Sequence, residues 1–244
     1  MRLALLRGAD PDHLDIMHEG ESLRVLVRRR PTARRLTLRV SSATGEVMMT
    51  LPTRTSITVA RTFALSHGGW IAARIARMPE RVAFVTGATV PLRSVPHRIA
   101  HRSHRSGVTR VESLAGEPIL SVACDEPHVS RRIVDFLQRE ARADLVAAVA
   151  RYTAKLGQGP KRITLRDTRS RWGSCTARGD LNFSWRLILA PPLVLDYLVA
   201  HEMAHLREMN HSARFWTLVG SLCPHVDEAE RWLKTHGAGL HRYG

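Results

Sequence analysis

Apolar and polar residues alternate with a period of two in three early stretches of the chain. In residues 22–29, Leu23, Val25 and Val27 are interleaved with Arg24 and Arg28; residues 35–40 repeat the pattern with Leu36, Leu38 and Val40, and residues 46–51 form a third run. Such alternation places one side of a strand against a core and the other in solvent. Residues 41–45 have turn composition, so the last two strands are predicted to form a hairpin. Ahead of them, residues 1–21 read as an N-terminal tail. The pattern then changes to a helical one. Ser56 is positioned to cap a helix over 57–78 that Pro79 stops, with Val59, Phe63, Trp70, Ile71, Ile75 and Met78 on its apolar side and Gly68-Gly69 weakening its middle. Residues 83–124 read as short strands cut by Gly87, Pro91, Pro96, Gly107 and Gly116. The run from His97 to Arg105 is rich in His and Arg but lacks any carboxylate or cysteine, and is predicted to be an exposed strand and its turn rather than a metal tract.

A composition shift at Asp125-Glu126-Pro127 marks the next boundary. Residues 128–156 are strongly helical, with Ile133, Phe136, Leu137, Ala141, Leu145 and Val149 on one side and arginines on the other. Residues 157–160 end this helix, 161–166 and 172–176 read as strands, and Arg178-Gly179-Asp180 signals a turn. Pro191-Pro192 opens an apolar helix. Ser212 caps another, whose Phe215, Trp216 and Val219 should pack beneath it, and a short helix over 227–236 closes at Gly237. The fold class is α+β: an N-terminal antiparallel β-rich region with one helix (22–124), followed by a domain over 125–244 organised around the helix after the proline pair. No internal repeat is visible.

That helix carries the chemistry. His201-Glu202-Met203-Ala204-His205 reads HExxH, and His211 follows six residues later. Residues four apart lie one above the other on a helix, so His201 and His205 can aim at one point, half of a tetrahedral zinc site. Glu202 is then placed beside a metal-bound water, where it could take its proton. Glu208 shares the stripe but lies roughly 10 Å along the axis from His201, too far to bind the same ion. If the helix stops near Met209, with Asn210 left-handed, His211 swings back as third ligand. Glu228, Glu230 and His225 are its rivals. Leu193, Val194, Leu195, Leu198, Val199 and Leu206 make the helix apolar nearly all round, so its polar groups should be buried and need partners.

Charge adds a second theme. The chain has 37 Lys and Arg against 22 Asp and Glu, a formal net charge of +15, which would attract nucleic acid or another polyanion. Cys124, Cys175 and Cys223 are odd in number and widely spaced, with no disulfide framework, which fits a reducing cytoplasm. No signal peptide is read at the N-terminus. The longest apolar stretch, 187–200, is broken by Pro191-Pro192 and Asp196, so no membrane span is expected.

Several further stretches match one family in order. Arg171-Trp172-Gly173-Ser174-Cys175, Leu181-Asn182, Trp185-Arg186-Leu187, Ala190-Pro191, the run from Val199 to Leu206, Asn210-His211-Ser212 and Phe215-Trp216 resemble the YgjP-type, SprT-like zinc metallopeptidases. The resemblance covers about residues 24–236. It implies a zincin-like catalytic domain, with His201, His205 and His211 as zinc ligands and Glu202 as catalytic base. The ligand spacing equals that of metzincins, yet Glu208 stands where they carry a glycine and no methionine follows Met209 to make their Met-turn.

The expected activity is a zinc-dependent peptidase acting on peptide or protein, with Mn2+ or Fe2+ as other metals that imidazoles accept. Tyr197, one turn before His201, and Arg171 are candidates to steady an oxyanion, and the strand beginning at Trp172 offers an edge for an extended peptide. Two other readings compete. The metal water could attack a phosphoanhydride such as a nucleoside triphosphate, or the metal could be structural in a polyanion-binding module.

Overall fold

A computed structural model describes residues 11–41, 44–78, 80–102 and 107–244. They fall into two compact units, divided between residues 78 and 80.

The first unit is a four-stranded sheet covered on one face by helices. Its strands are β1 (His13–His18), β2 (Glu21–Arg29), β3 (Thr37–Val40) and β4 (Val47–Leu51), in the order β1-β2-β4-β3. The three strands read from period-two alternation are present, and β3 and β4 pair antiparallel as expected. β1 is an addition, because all of it falls in the stretch read as tail. Leu14 and Ile16 are both buried there and alternate with exposed Asp15 and Met17; two apolar positions were too short a signal. Glu19 and Gly20 both have positive φ, as a tight antiparallel turn requires, and bring β2 back onto β1. Residues 1–10 of the tail, and 42 and 43 of the expected turn, lie outside the described residues.

The single helix expected over 57–78 is two: α1 (Ile57–Ser66) and α2 (Gly68–Ala76), interrupted at His67. Ser56 accepts from Val59 N–H as the cap. The break falls beside Gly68-Gly69, the pair expected to weaken the helix. The ring of His18 lies over Gly68 so closely that a Cβ there would meet Nδ1 at 3.1 Å. Buried Ala60, Ala64 and Ile71 face Val25, Met49 and Leu51 of the sheet in one core.

The second unit repeats the sheet topology. Strands β5 (Thr89–Leu92), β6 (Val95–Arg102), β7 (Arg110–Leu114) and β8 (Glu117–Ala123) run in the order β5-β6-β8-β7, again with two antiparallel outer pairs around a parallel centre. The amino-acid pattern shows no such repeat, because each sheet keeps only its inward apolar positions. The His- and Arg-rich run, described as far as Arg102, is an inner strand rather than an exposed one. Ile99 and His97 are buried, and His97 Nδ1 bonds Val95 O at 2.8 Å.

Helix α3 (Val129–Leu156) ends on Gly157, whose left-handed φ of 65° closes it. Its Ile133, Phe136, Leu137, Ala141, Leu145 and Val149 join Leu92, Ile99, Leu120 and Val122 of the sheet in one core. The boundary expected at 124/125 therefore runs through a core rather than between cores; each such buried side chain stabilises by about 1.5–3 kcal/mol, which holds sheet and helix together. A smaller sheet, ordered β10-β11-β9, comprises β9 (Arg162–Arg166), β10 (Gly173–Cys175) and β11 (Asp180–Ser184). A 3-10 segment, Trp185–Leu189, leads to α4 (Pro192–Ala204), then α5 (Ala213–Leu222) and α6 (Val226–His236). The chain is thus α+β. Among the described residues no helix is long and apolar enough to cross a membrane.

Candidate metal centre

Helix α4 carries His201 and Glu202 on its last turn, and His205 is its C-cap residue. The helix stops earlier than Met209. Leu206, Arg207 and Glu208 donate their N–H groups to Met203 O and Ala204 O, which tightens the chain into a turn. Asn210 is not left-handed. Its carbonyl instead accepts from Ser212 N–H at 2.7 Å, and Ser212 caps α5 through Phe215 N–H. The turn comes from the capping, and it brings His211 back over α4 as expected.

The structure brings the three imidazoles together. Ligand nitrogens of His201, His205 and His211 all lie within 4.8 Å of one another, and the Nε2 atoms of His201 and His211 are 3.2 Å apart. Bonds of about 2.0 Å in a tetrahedron put donors about 3.3 Å apart, so that pair matches two ligands of one ion. Buried Phe215 stacks on His205 at 4.5 Å between centroids and closes the floor of the cluster. Val219 is buried as expected, and Trp216 packs edge-on against His201 of α4 at 5.7 Å. It stays partly exposed and flanks His211 at 6.0 Å.

Hydrogen bonds fix which nitrogen is available on two of the rings. His205 Nδ1 lies 3.0 Å from Glu208 O, which can only accept, so Nδ1 carries the proton and Nε2 keeps its lone pair. Tyr197 donates its hydroxyl to Glu230 Oε1 at 2.7 Å, and its oxygen stands 3.4 Å from His201 Nδ1. With its proton given to Glu230, that oxygen accepts from Nδ1–H and leaves the His201 Nε2 lone pair turned to the cluster. Burial, then the neighbouring His205 and His211, push the His201 imidazole down to about 4, so it is neutral and ligand-ready at neutral pH.

Glu202 packs against β10 and lines the same cleft as His201. Only 6% of it is exposed. Burial pushes its carboxyl up to about 7, against the charge of Arg171 and a hydrogen bond from Cys175 N–H. Its carboxylate lies over Gly173, where a Cβ would come within 2.5 Å of Oε1. The ladder explains the fit. Trp172 O accepts from Ser184 N–H, and Thr176 N–H donates to Asp180 O, so the even-numbered residues bond β11. Gly173 and Cys175 therefore turn their main-chain groups to the outer edge, towards Glu202.

An open cleft of about 860 Å³ runs from His201 and Glu202 between Trp172-Gly173 and the α6 residues Asp227, Glu230, Arg231 and Lys234. Of the three further candidates, Trp172 and Tyr197 line it, and Arg171 acts on Glu202 by charge. Tyr197 is spoken for by Glu230. Among the rival ligands, Glu230 binds that hydroxyl and His225 is the N-cap residue of α6, and neither they nor Glu228 joins the cluster. Sequence reasoning missed Gly173 as the seat of Glu202, and it missed Glu230 as the partner of Tyr197. The first was legible as a glycine inside a short strand; the second left no local signal.

A family model described as YgjP-like, metallopeptidase domain, matches residues 34–236. The chain belongs to the YgjP-like metallopeptidase family. No curated protein and no solved structure matches it. Membership makes it a metal-dependent hydrolase, with peptide the expected class of substrate, and the family implies a metal ion. In this YgjP-like chain the donor set fits such an ion: three converging imidazoles, two with their proton-bearing nitrogens turned outward, could hold it. Among the described residues no fourth His, Cys, Asp or Glu joins them.

Proposed function

We propose that this protein is a zinc-dependent peptidase with a zincin-like catalytic domain, in which His201, His205 and His211 hold the metal and Glu202 is the general base. The observation that carries the reading is the pairing of three converging imidazoles with a buried carboxylate on the adjoining residue. A zinc ion held there supplies a Lewis acid that polarises a carbonyl and lowers the pKa of water towards neutrality. Glu202, fixed by Cys175 N–H and Gly173, accepts a proton from the attacking water and passes it to the leaving amine nitrogen as the C–N bond breaks. Tyr197 and Glu230 orient His201, and the Glu208 carbonyl orients His205. Trp172 and Gly173, at the start of β10, line the cleft that receives an extended peptide. Arg171 stays near enough to Glu202 to favour its ionised form.

The three-ligand set favours a catalytic metal over a structural one, which would have four protein ligands. The cleft mixes Asp227 and Glu230 with Arg231 and Lys234, which suits a peptide better than a triphosphate needing net positive charge. Glu202→Gln tests the reading. Zinc content should be unchanged while hydrolysis of unfolded casein falls by at least a hundredfold. A variant that cleaves casein at the parent rate overturns Glu202 as base, and a parent that turns over nucleoside triphosphates but not casein overturns the peptidase assignment.

A further inference from the structure

A second large concavity, of about 990 Å³, lies between α3 and β9, away from the histidines. One wall is a stripe of α3 that includes Asp135, Arg139, Arg142, Val146, Val149 and Thr153, spaced three and four apart. At 1.5 Å per residue the stripe runs about 27 Å. The other wall is an unbroken run from Gly159 to Leu165. Side chains alternate along a strand, so a groove lying on one face would touch every second residue; an unbroken run means that the strand's edge borders the groove. β9 is the end strand of its sheet, and its outer edge has no strand partner among the described residues. Such an edge presents main-chain donors and acceptors to another extended chain.

The lining chooses the occupant. Arg139, Arg142, Lys161 and Arg162 face the groove against a single carboxylate, Asp135, which sits 4.0 Å from Arg131. Arg139 also donates to Thr109 O, but Arg142, Lys161 and Arg162 have no carboxylate partner among the described residues. Between the charges lies an aliphatic strip. Val146 is 46% exposed, and Ile163 and Leu165 are half-buried. No aromatic ring lines the groove, so it lacks the stacking platforms that single-stranded nucleic acid uses.

We infer that the groove between α3 and β9 is a docking site for an extended acidic peptide segment, which adds as a strand to the outer edge of β9. Its carboxylates meet Arg142, Lys161 and Arg162, and its aliphatic side chains cover Val146 and Leu165. The basic flanks also keep two copies of β9 from pairing with each other, because like charges would be set side by side. The inference is independent of the peptidase reading, since no residue of the groove belongs to the metal centre.

The test uses the full chain and a fluorescein-labelled heptapeptide of alternating Glu and Val, read by anisotropy. Binding should be saturable, weaken with added salt, and protect the amides of residues 162–166 in hydrogen exchange. Arg142→Gln with Arg162→Gln should weaken it at least tenfold, with the thermal melt showing that the variant is folded. Methylating alternate peptide nitrogens should abolish it in the unmodified protein, so the result does not rest on the variant alone. Glu202→Gln should leave it unchanged. Absence of saturable binding, equal binding of a Lys/Val heptapeptide or of a single-stranded oligonucleotide, or full binding by the methylated peptide would each overturn the proposal.

Discussion

Gly173 is the seat of Glu202: a Cβ at that position would lie 2.5 Å from Oε1 and 2.8 Å from Cγ of the glutamate. The strand and the helix that bear these residues touch through a main chain and a carboxylate, with nothing between. Any side chain at 173 must push the carboxylate off Cys175 N–H, because the obstacle on the other side is the backbone of the strand.

Gly173→Ala should therefore lower turnover by at least tenfold while zinc content and melting temperature change little. Metal analysis beside peptide hydrolysis checks it. Unchanged turnover would mean that Glu202 need not sit where it does.

Tyr197→Phe removes the hydroxyl that links Glu230 to His201. Loss of such an outer partner weakens metal binding by about 10–100-fold. Glu230→Ala should do the same, and the double variant should be no worse than either single one, because both act through one ring. Competition with a chromophoric chelator measures this. Additive losses would show that the two residues act separately.

Metal removal should abolish hydrolysis and leave the fold standing. The core of the unit is built from α3, α4 and the sheets, and only His205 of the three ligands is buried. Circular dichroism after chelation should keep its helical signal, with the melt lowered by the few kcal/mol that a tightly bound ligand contributes, about 4 at a thousandfold excess over Kd. Unfolding on chelation would point to a structural metal.

Asp167 gives a pH dependence away from the metal. Burial raises its carboxyl, but the hydrogen bonds and charge of Arg186 outweigh burial and hold it below the usual carboxylate range. Arg186 is itself buried and also donates to Leu240 O and Tyr243 O, which ties down a C-terminal 3-10 segment (Gly237–Arg242) whose His241 stacks on Trp172. A carboxylate whose folded pKa is depressed stabilises above its unfolded value, near 3.9, and loses that contribution as pH falls through the folded one. Asp167→Asn should thus cost on the order of 1 kcal/mol at pH 7, discounted because Asp167 is half exposed, and progressively less below pH 4. Urea melts of both proteins at pH 7 and pH 3 read the difference. A gap that stays constant with pH would remove the ion pair from the account.

Much of this molecule was legible in its sequence because the rules involved are local. Period-two alternation gave β2, β3 and β4, a serine cap gave the starts of α1 and α5, and helical spacing put His201, Glu202 and His205 on one turn. Where that reading slipped, backbone hydrogen bonding and packing decided what residue types alone do not show. The helix expected over 57–78 divides at His67, beside the glycine pair that weakens it, and His18 packs over Gly68 there. The turn that returns His211 was expected from Asn210 in a left-handed conformation, and it is made instead by hydrogen bonds around Ala204 and Ser212. By itself the sequence determined which side chains could bind a metal, since spacing along one helix is fixed by backbone geometry. Only the tertiary structure decided where Glu202 rests, what Tyr197 bonds and which strand edge stays open. The seat of Glu202 and the partner of Tyr197 lie 27 to 33 positions away, brought near by a buried core that no local pattern encodes.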